Sequence, residues 1–262
     1  TRFAVFGGFG GGQNAAADTF VYDSTANTWQ VKSAMLTARS ALCSALAAGR
    51  LYALGGLDGN FDPQKSVESY DPVTDSWTQH ADMPQARVYA AGAGVSDQVY
   101  VFGGVDENWA ELNTTERYDP VQDTWTGMAA MPTPRFGACA AALGSEIVVV
   151  GGTQGNAALS VVEAYDTVTN TWRSLPSLPV RVAAGMATTY NGKLYVFGGY
   201  ESAPLVTVYR YEPGTNGWVL HSVLQRDHIG GVAGVIGTKV FIAGGYNGIE
   251  AHDRFQVMTP QL

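Results

Sequence analysis

Val99-Tyr100-Val101-Phe102-Gly103-Gly104 is an apolar run closed by two glycines. Its reading decides the fold, because the pattern recurs. Diglycines after apolar runs begin at Gly7, Gly55, Gly103, Gly151, Gly198 and Gly244, spaced by 48, 48, 48, 47 and 46 residues. A period of this length marks one supersecondary unit copied around a ring or along a solenoid. Other residues keep the beat: Trp29, Trp77, Trp125, Trp172 and Trp218, and Tyr-Asp or Tyr-Glu pairs beginning at Tyr22, Tyr70, Tyr118, Tyr165 and Tyr211, with Phe255 in the sixth slot. Arginines recur at Arg39, Arg87, Arg135, Arg181 and Arg226.

Working outward from Gly103, residues 84–131 read as one repeat. Val88 to Val95 is rich in Ala and Gly, Ser96-Asp97 makes a tight turn, and Val99 to Phe102 is the apolar run. A loop from Val105 to Asn113 follows. Thr114 to Tyr118 alternates, Asp119-Pro120 breaks it, and Asp123-Thr124-Trp125-Thr126 forms a last short strand. The four strands are named a, b, c and d. The a–b turn is Asn191-Gly192 in one repeat, the strongest hairpin dipeptide, and Ala48-Gly49, Gly144-Ser145 or Gly237-Thr238 in others. Short connections without a helix make each repeat an antiparallel meander. Six such units predict an all-β chain, a six-bladed β-propeller of four-stranded antiparallel blades. The repeats fall at about 1–36, 37–83, 84–131, 132–178, 179–224 and 225–262, within one domain over 1–262.

Side-chain size orders the strands. Strand a is built from small residues, as in Gly137-Ala138-Cys139-Ala140-Ala141-Ala142, which suit a crowded axis. The Trp and Tyr of strands d and c fill the wedge between blades. Six b and six c strands are legible, but five a and five d. The absent pair is the last d and the first a, which are consecutive in a closed ring. One segment of about 20–25 residues, preceding Thr1 in a parent protein, is expected to carry both. The chain does not begin with Met and carries no signal-like segment, which reads as trimming or processing.

These segments resemble kelch repeats. Lys193-Leu194-Tyr195-Val196-Phe197-Gly198-Gly199 and Ser66-Val67-Glu68-Ser69-Tyr70-Asp71-Pro72, followed by Asp75-Ser76-Trp77, carry the resemblance, which extends over nearly the whole chain. It implies a propeller closed by a terminal strand. It also implies binding of acidic motifs by arginines in the repeat position and by aromatics just after the diglycine. Many similar domains are the substrate-reading part of ubiquitin-ligase adaptors. Some bacterial kelch propellers instead isomerise sialic acid, with an Arg and an acid at an axial pocket. On that alternative Arg226, Asp227 and His228 form one cluster, and Asp106 and Glu107 are acid–base candidates.

Strand alternation places the d–a and b–c loops on one face and the a–b and c–d turns on the other. The b–c loops differ most, from Phe9-Gly10-Gly11-Gly12 through Leu57-Asp58-Gly59-Asn60-Phe61 and Val105-Asp106-Glu107-Asn108-Trp109 to Tyr200-Glu201-Ser202 and Tyr246-Asn247-Gly248. Binding residues concentrate on loops held by a rigid scaffold. The expected site therefore joins Arg39, Arg87, Arg135, Arg181 and Arg226 with Phe61, Tyr89, Asn108, Trp109, Tyr200, Tyr246 and His228. Its partner is expected to be a short acidic peptide or loop of a protein, recognised by forked guanidinium–carboxylate bonds. The bland reading is that a repeated Arg bonds backbone carbonyls or the strand-c acids Glu68, Glu116 and Glu163, and that Trp109 packs on its own blade.

Composition narrows the remaining classes. The 262 residues carry a net charge of −8, with 46% hydrophobic residues. That charge disfavours nonspecific nucleic-acid binding, which needs clustered Lys and Arg. No stretch approaches the roughly 20 apolar residues of a membrane helix. His80, His221, His228 and His252 lack metal-ligand spacing, and no diglycine leads into a helix, so no metal and no cofactor is expected. Cys43 and Cys139 lie two repeats apart and read as buried thiols rather than a disulfide, favouring a reducing, cytoplasmic setting. Asn113-Thr114-Thr115 is a glycosylation triplet of a kind that arises by chance.

Overall fold

The structure is a computed structural model that describes residues 2–10, 14–247 and 250–260. Its fold is a six-bladed β-propeller of small antiparallel sheets, and among the described residues there is no helix. The chain divides into two compact units. One is Ala4–Phe136, and the other joins Thr1–Phe3 to Gly137–Leu262.

The first unit carries β1 (Arg2–Phe6, whose first residues belong to the second unit), β2 (Thr19–Asp23) and β3 (Thr28–Lys32) as one sheet. Its next sheet is β4 (Cys43–Ala47), β5 (Arg50–Leu54), β6 (Val67–Asp71) and β7 (Ser76–His80). The third is β8 (Ala91–Val95), β9 (Gln98–Phe102), β10 (Thr115–Asp119) and β11 (Thr124–Met128). In the second unit β12 (Cys139–Leu143) and β13 (Glu146–Val150) are followed by a loop hairpin, β14 (Thr153–Gln154) with β15 (Ala157–Ala158). The sheet resumes with β16 (Val162–Asp166) and β17 (Thr171–Leu175). Then come β18 (Met186–Tyr190), β19 (Lys193–Phe197), β20 (Thr207–Glu212) and β21 (Gly217–Val223), and last β22 (Val232–Ile236), β23 (Lys239–Ala243) and β24 (Phe255–Met258). The first and last sheets are three-stranded, b–c–d and a–b–c respectively.

The apolar b strands are buried on both faces: Val99, Tyr100, Val101 and Phe102 are all at most 3% exposed. That is why they read as continuous runs rather than alternating ones. The small a strands pack against each other. A Cβ at Gly94 of β8 would collide with the Leu46 carbonyl of β4. The diglycine has a matching reason. Gly103 and Gly104 adopt φ of 57° and 92°, and a Cβ on Gly103 would strike the Arg135 carbonyl.

The aromatic markers form a repeated joint. Tyr118 pairs with Trp125 across β10 and β11, with ring centroids 5.1 Å apart. The Tyr118 hydroxyl donates to Asp123 Oδ1 at 2.6 Å, and Tyr22, Tyr70, Tyr165 and Tyr211 bond in the same way to Asn27, Asp75, Asn170 and Asn216. Within the first unit, Trp125 Nε1 donates to the Ala81 carbonyl of the preceding blade and Trp77 Nε1 to the Ser33 carbonyl, both at 2.9 Å. Both cysteines are free and buried, and burial pushes the Cys43 thiol up to about 12, so it stays protonated.

Candidate functional site

Ten residues after the repeat Trp, the chain turns from strand d into strand a. The carbonyl of that residue accepts the N–H of the preceding blade's second glycine: Arg39 from Gly8, Arg87 from Gly56, Arg135 from Gly104, Val182 from Gly152 and His228 from Gly199. The slot is thus occupied in turn by Arg, Arg, Arg, Val and His. Arg181 and Arg226 lie one and two residues before it, and both are exposed.

The slot side chains point inward. Arg39, Arg87 and Arg135 are 0%, 1% and 1% exposed. The expectation that these three guanidinium groups crown the face is therefore corrected: none can reach a ligand while its blade is folded. Arg87 Nη1 donates to the Gly103 carbonyl at 2.8 Å, and Nη2 lies 3.0 Å from Glu116 Oε2. Arg39 Nη1 donates to the Gly55 and Ser66 carbonyls at 3.0 and 2.7 Å, and Nη2 lies 3.1 Å from Glu68 Oε1. Glu68 in turn accepts the backbone N–H groups of Leu36 and Thr37, bracing the d–a loop. The second glycine's carbonyl accepts a loop N–H, as Gly56 does from Gln64 and Gly104 from Leu112, and in these two blades the buried Arg donates to the first glycine's carbonyl. Burial lowers the affinity of Arg87 for its proton and raises that of Glu116. The pairing offsets that cost without abolishing it.

His228 fills the same slot in the last repeat and is also fully buried. Its Nδ1–H donates to the Gly244 carbonyl at 2.7 Å, and its Nε2 accepts from the Gln256 amide at 2.6 Å. Burial keeps it neutral by lowering its pKa. Both ring nitrogens are thus engaged inside the blade, not displayed on the face where it was expected. Asp227 beside it is paired with Arg254 at 2.6 Å. Among the described residues no group of three or more His, Cys, Asp or Glu is placed to hold a metal ion.

What the loops do present is aromatic. Isolated bridges Val88↔Val105, Ala183↔Tyr200 and Ile229↔Tyr246 tie each d–a loop to its own b–c loop, so both leave the blade at the same end. In the first unit Leu57, Val88 and Val105 form a buried cluster with Ala41 and Phe136 packed on it. Two loops rise from this base with one construction. Asp58 Oδ1 accepts the N–H groups of Asn60 and Asp62 at 2.8 and 3.0 Å, and Asp106 Oδ1 accepts those of Asn108 and Ala110 at 2.8 and 2.9 Å. Each loop closes on an aromatic residue in the left-handed region, Phe61 at φ 64° and Trp109 at φ 60°. They stand 52% and 53% exposed. About half of each ring thus faces solvent.

Tyr89 is a third aromatic with positive φ, 55°, at a position where other repeats carry Ala or Gly. Its ring lies 6.2 Å from that of Phe136 and is 38% exposed. Phe9, 43% exposed, belongs to the first unit's loop set too and was not among the expected contacts, nor was Phe136. In the second unit Tyr200 and Tyr246, which open b–c loops, are 39% and 42% exposed. Asn108 is exposed, with its N–H committed to Asp106. Two cavities of about 390 and 220 Å³ lie elsewhere, along the open edge of β24, lined by residues such as Val223, Phe255 and Met258.

The repeat geometry matches a described family. The family model of the KLHDC2/KLHL20/DRC7 Kelch-repeats domain matches residues 1–131 and 79–245. The chain belongs to the kelch-repeat family. Among solved kelch-like folds, the structure titled "Structure of YjhT" superposes with a TM-score of 0.81 at 19% identity, over 93% of this chain and 88% of that one. At that identity the likeness concerns the fold alone. None of the curated proteins searched matches the chain. In this kelch chain, then, Arg39, Arg87 and Arg135 are held inside their blades, and exposed aromatics are what the loops offer outward.

Proposed function

We propose that this kelch propeller is a protein-interaction module that binds a short peptide or loop of a partner protein on the face formed by its d–a and b–c loops. The observation that carries this reading is the pair Phe61 and Trp109, half exposed and held at φ of 64° and 60°. Bulky side chains in the left-handed region cost about 1–2 kcal/mol each and persist only where the surroundings impose them. Trp is among the residues most often found at the energetic centre of interfaces. The acidic partner first expected drew on five arginines. Three are consumed inside blades, and Arg181 and Arg226 remain at the surface.

Selection of a random heptapeptide library against the chain, followed by calorimetry, tests the proposal. Selected peptides should bind the native chain and lose at least about tenfold in affinity to the doubly substituted Phe61→Ser, Trp109→Ser chain. Peptides whose affinity is indifferent to that change would overturn it.

A further inference from the structure

We infer that the aromatic loops of the first unit receive a basic segment, one that places an Arg or Lys against Trp109 and Phe61. This rests on the peptide-binding reading above and names the chemistry of its partner.

The charge on these loops has the opposite sign to the one expected from the arginine count. Residues 57–65 and 105–113 carry Asp58, Asp62, Asp106, Glu107 and Glu111 against Lys65 alone. Lys65 is itself 3.6 Å from Asp82. The arginines of the adjoining d–a loops contribute nothing outward, since Arg39 and Arg87 are neutralised by Glu68 and Glu116 inside their blades. Asp62 and Glu107 are exposed, in the same two loops as Phe61 and Trp109. An anionic peptide would meet like charge here; a cationic one meets carboxylates and two half-exposed aromatic rings.

The two parts act on the same group. An indole face attracts a guanidinium or ammonium through its quadrupole, Trp being the strongest of the ring types. Guanidinium stacks flat on a ring while its edge donates to a carboxylate, a combination that Lys reproduces only in part. Phe61 and Trp109 occupy equivalent points of neighbouring repeats, and each loop carries an exposed acid at a position of its own, Asp62 directly after Phe61 and Glu107 two residues before Trp109. Each loop therefore offers a basic side chain one aromatic ring and one carboxylate.

The test uses the full chain and three heptapeptide pools, random except for a central Arg, Glu or Leu, titrated by fluorescence anisotropy at low and at 0.5 M salt. The Arg pool should bind at least about tenfold more tightly than the Glu pool and weaken as salt screens the contact. Asp62→Asn with Glu107→Gln should erase the Arg preference while leaving the melting temperature in place. Binding of the Leu or Glu pool equal to or tighter than that of the Arg pool, and abolished by Trp109→Ser, would overturn the basic partner yet keep the face. Failure of every pool would remove both readings.

Discussion

Arg87 Nη2 and Glu116 Oε2 lie 3.0 Å apart, with the two side chains 0% and 8% exposed, while Val182 and Tyr209 take the same two positions in the fifth blade. Val182 and Tyr209 belong to one buried apolar cluster. The chain therefore contains both solutions to one packing problem. Removing one charge from a buried pair leaves the other uncompensated, a loss of about 3–5 kcal/mol. Arg87→Ala should show that loss in urea unfolding. Arg87→Val combined with Glu116→Tyr should recover most of it, because an apolar pair of matched volume is already accommodated by the sibling blade. Equal destabilisation by the single and double changes would contradict this.

The strained loop aromatics make stability and binding oppose each other. Phe61→Gly and Trp109→Gly relieve positive φ values of 64° and 60° at exposed sites. Each should raise stability by about 1 kcal/mol while weakening peptide binding. Differential scanning calorimetry beside a binding titration checks both halves. A destabilised glycine variant would mean that the rings hold the loop rather than the loop holding the rings.

The blade joints have a donor that can be deleted without changing ring burial much. Trp125→Phe loses the Nε1 bond to the Ala81 carbonyl and should cost about 1 kcal/mol. Trp77→Phe should cost more, since that indole also lies 3.2 Å from Thr19 Oγ1. Chemical denaturation of the two variants orders them.

Acid should unfold the protein in two windows. Burial lowers the pKa of His80, His221, His228 and His252. A group with a depressed folded pKa contributes stability above its unfolded value, about 6.5 for His, and that contribution is lost as pH falls through the folded value. Asp75 is held low by the Ser33 N–H and the Tyr70 hydroxyl, and Asp123 by the Tyr118 hydroxyl and the Ala81 N–H. The same sign applies, so their contribution disappears below about pH 3.9. Melting temperature should fall from pH 7 to 5 and again below 4. Asp75→Asn should flatten the lower step without unfolding the chain, since Asn27, Asn170 and Asn216 already make the same tyrosine bond. A melting temperature that rises between pH 7 and 5 would refute the assignment.

The fold was open to reading because the diglycine, Tyr and Trp act within one repeat and recur at fixed offsets. The arginines show where that logic stops. Arg39, Arg87 and Arg135 lie ten residues after their Trp, as do Val182 and His228, whereas Arg181 and Arg226 lie nine and eight after it. The offset from Trp thus distinguishes the slot from its neighbours. The direction of the side chain was still hidden, since it depends on a bond to the first glycine's carbonyl. The tyrosine bonds to Asn27, Asp75, Asp123, Asn170 and Asn216 carry a plain five-residue offset in the sequence. The posture of Trp109 does not, because it follows from two backbone bonds to Asp106 and a positive φ.

Hydrogen–deuterium exchange of the full chain, with and without a heptapeptide selected against it, tests the central claim most directly. Protection should be confined to residues 57–65, 85–90 and 105–111, and the c–d turns, whose tips carry Val73 and Val121 at 90% and 85% exposure, should exchange as before. Protection of residues 71–75 and 119–123 with the aromatic loops unchanged would contradict it.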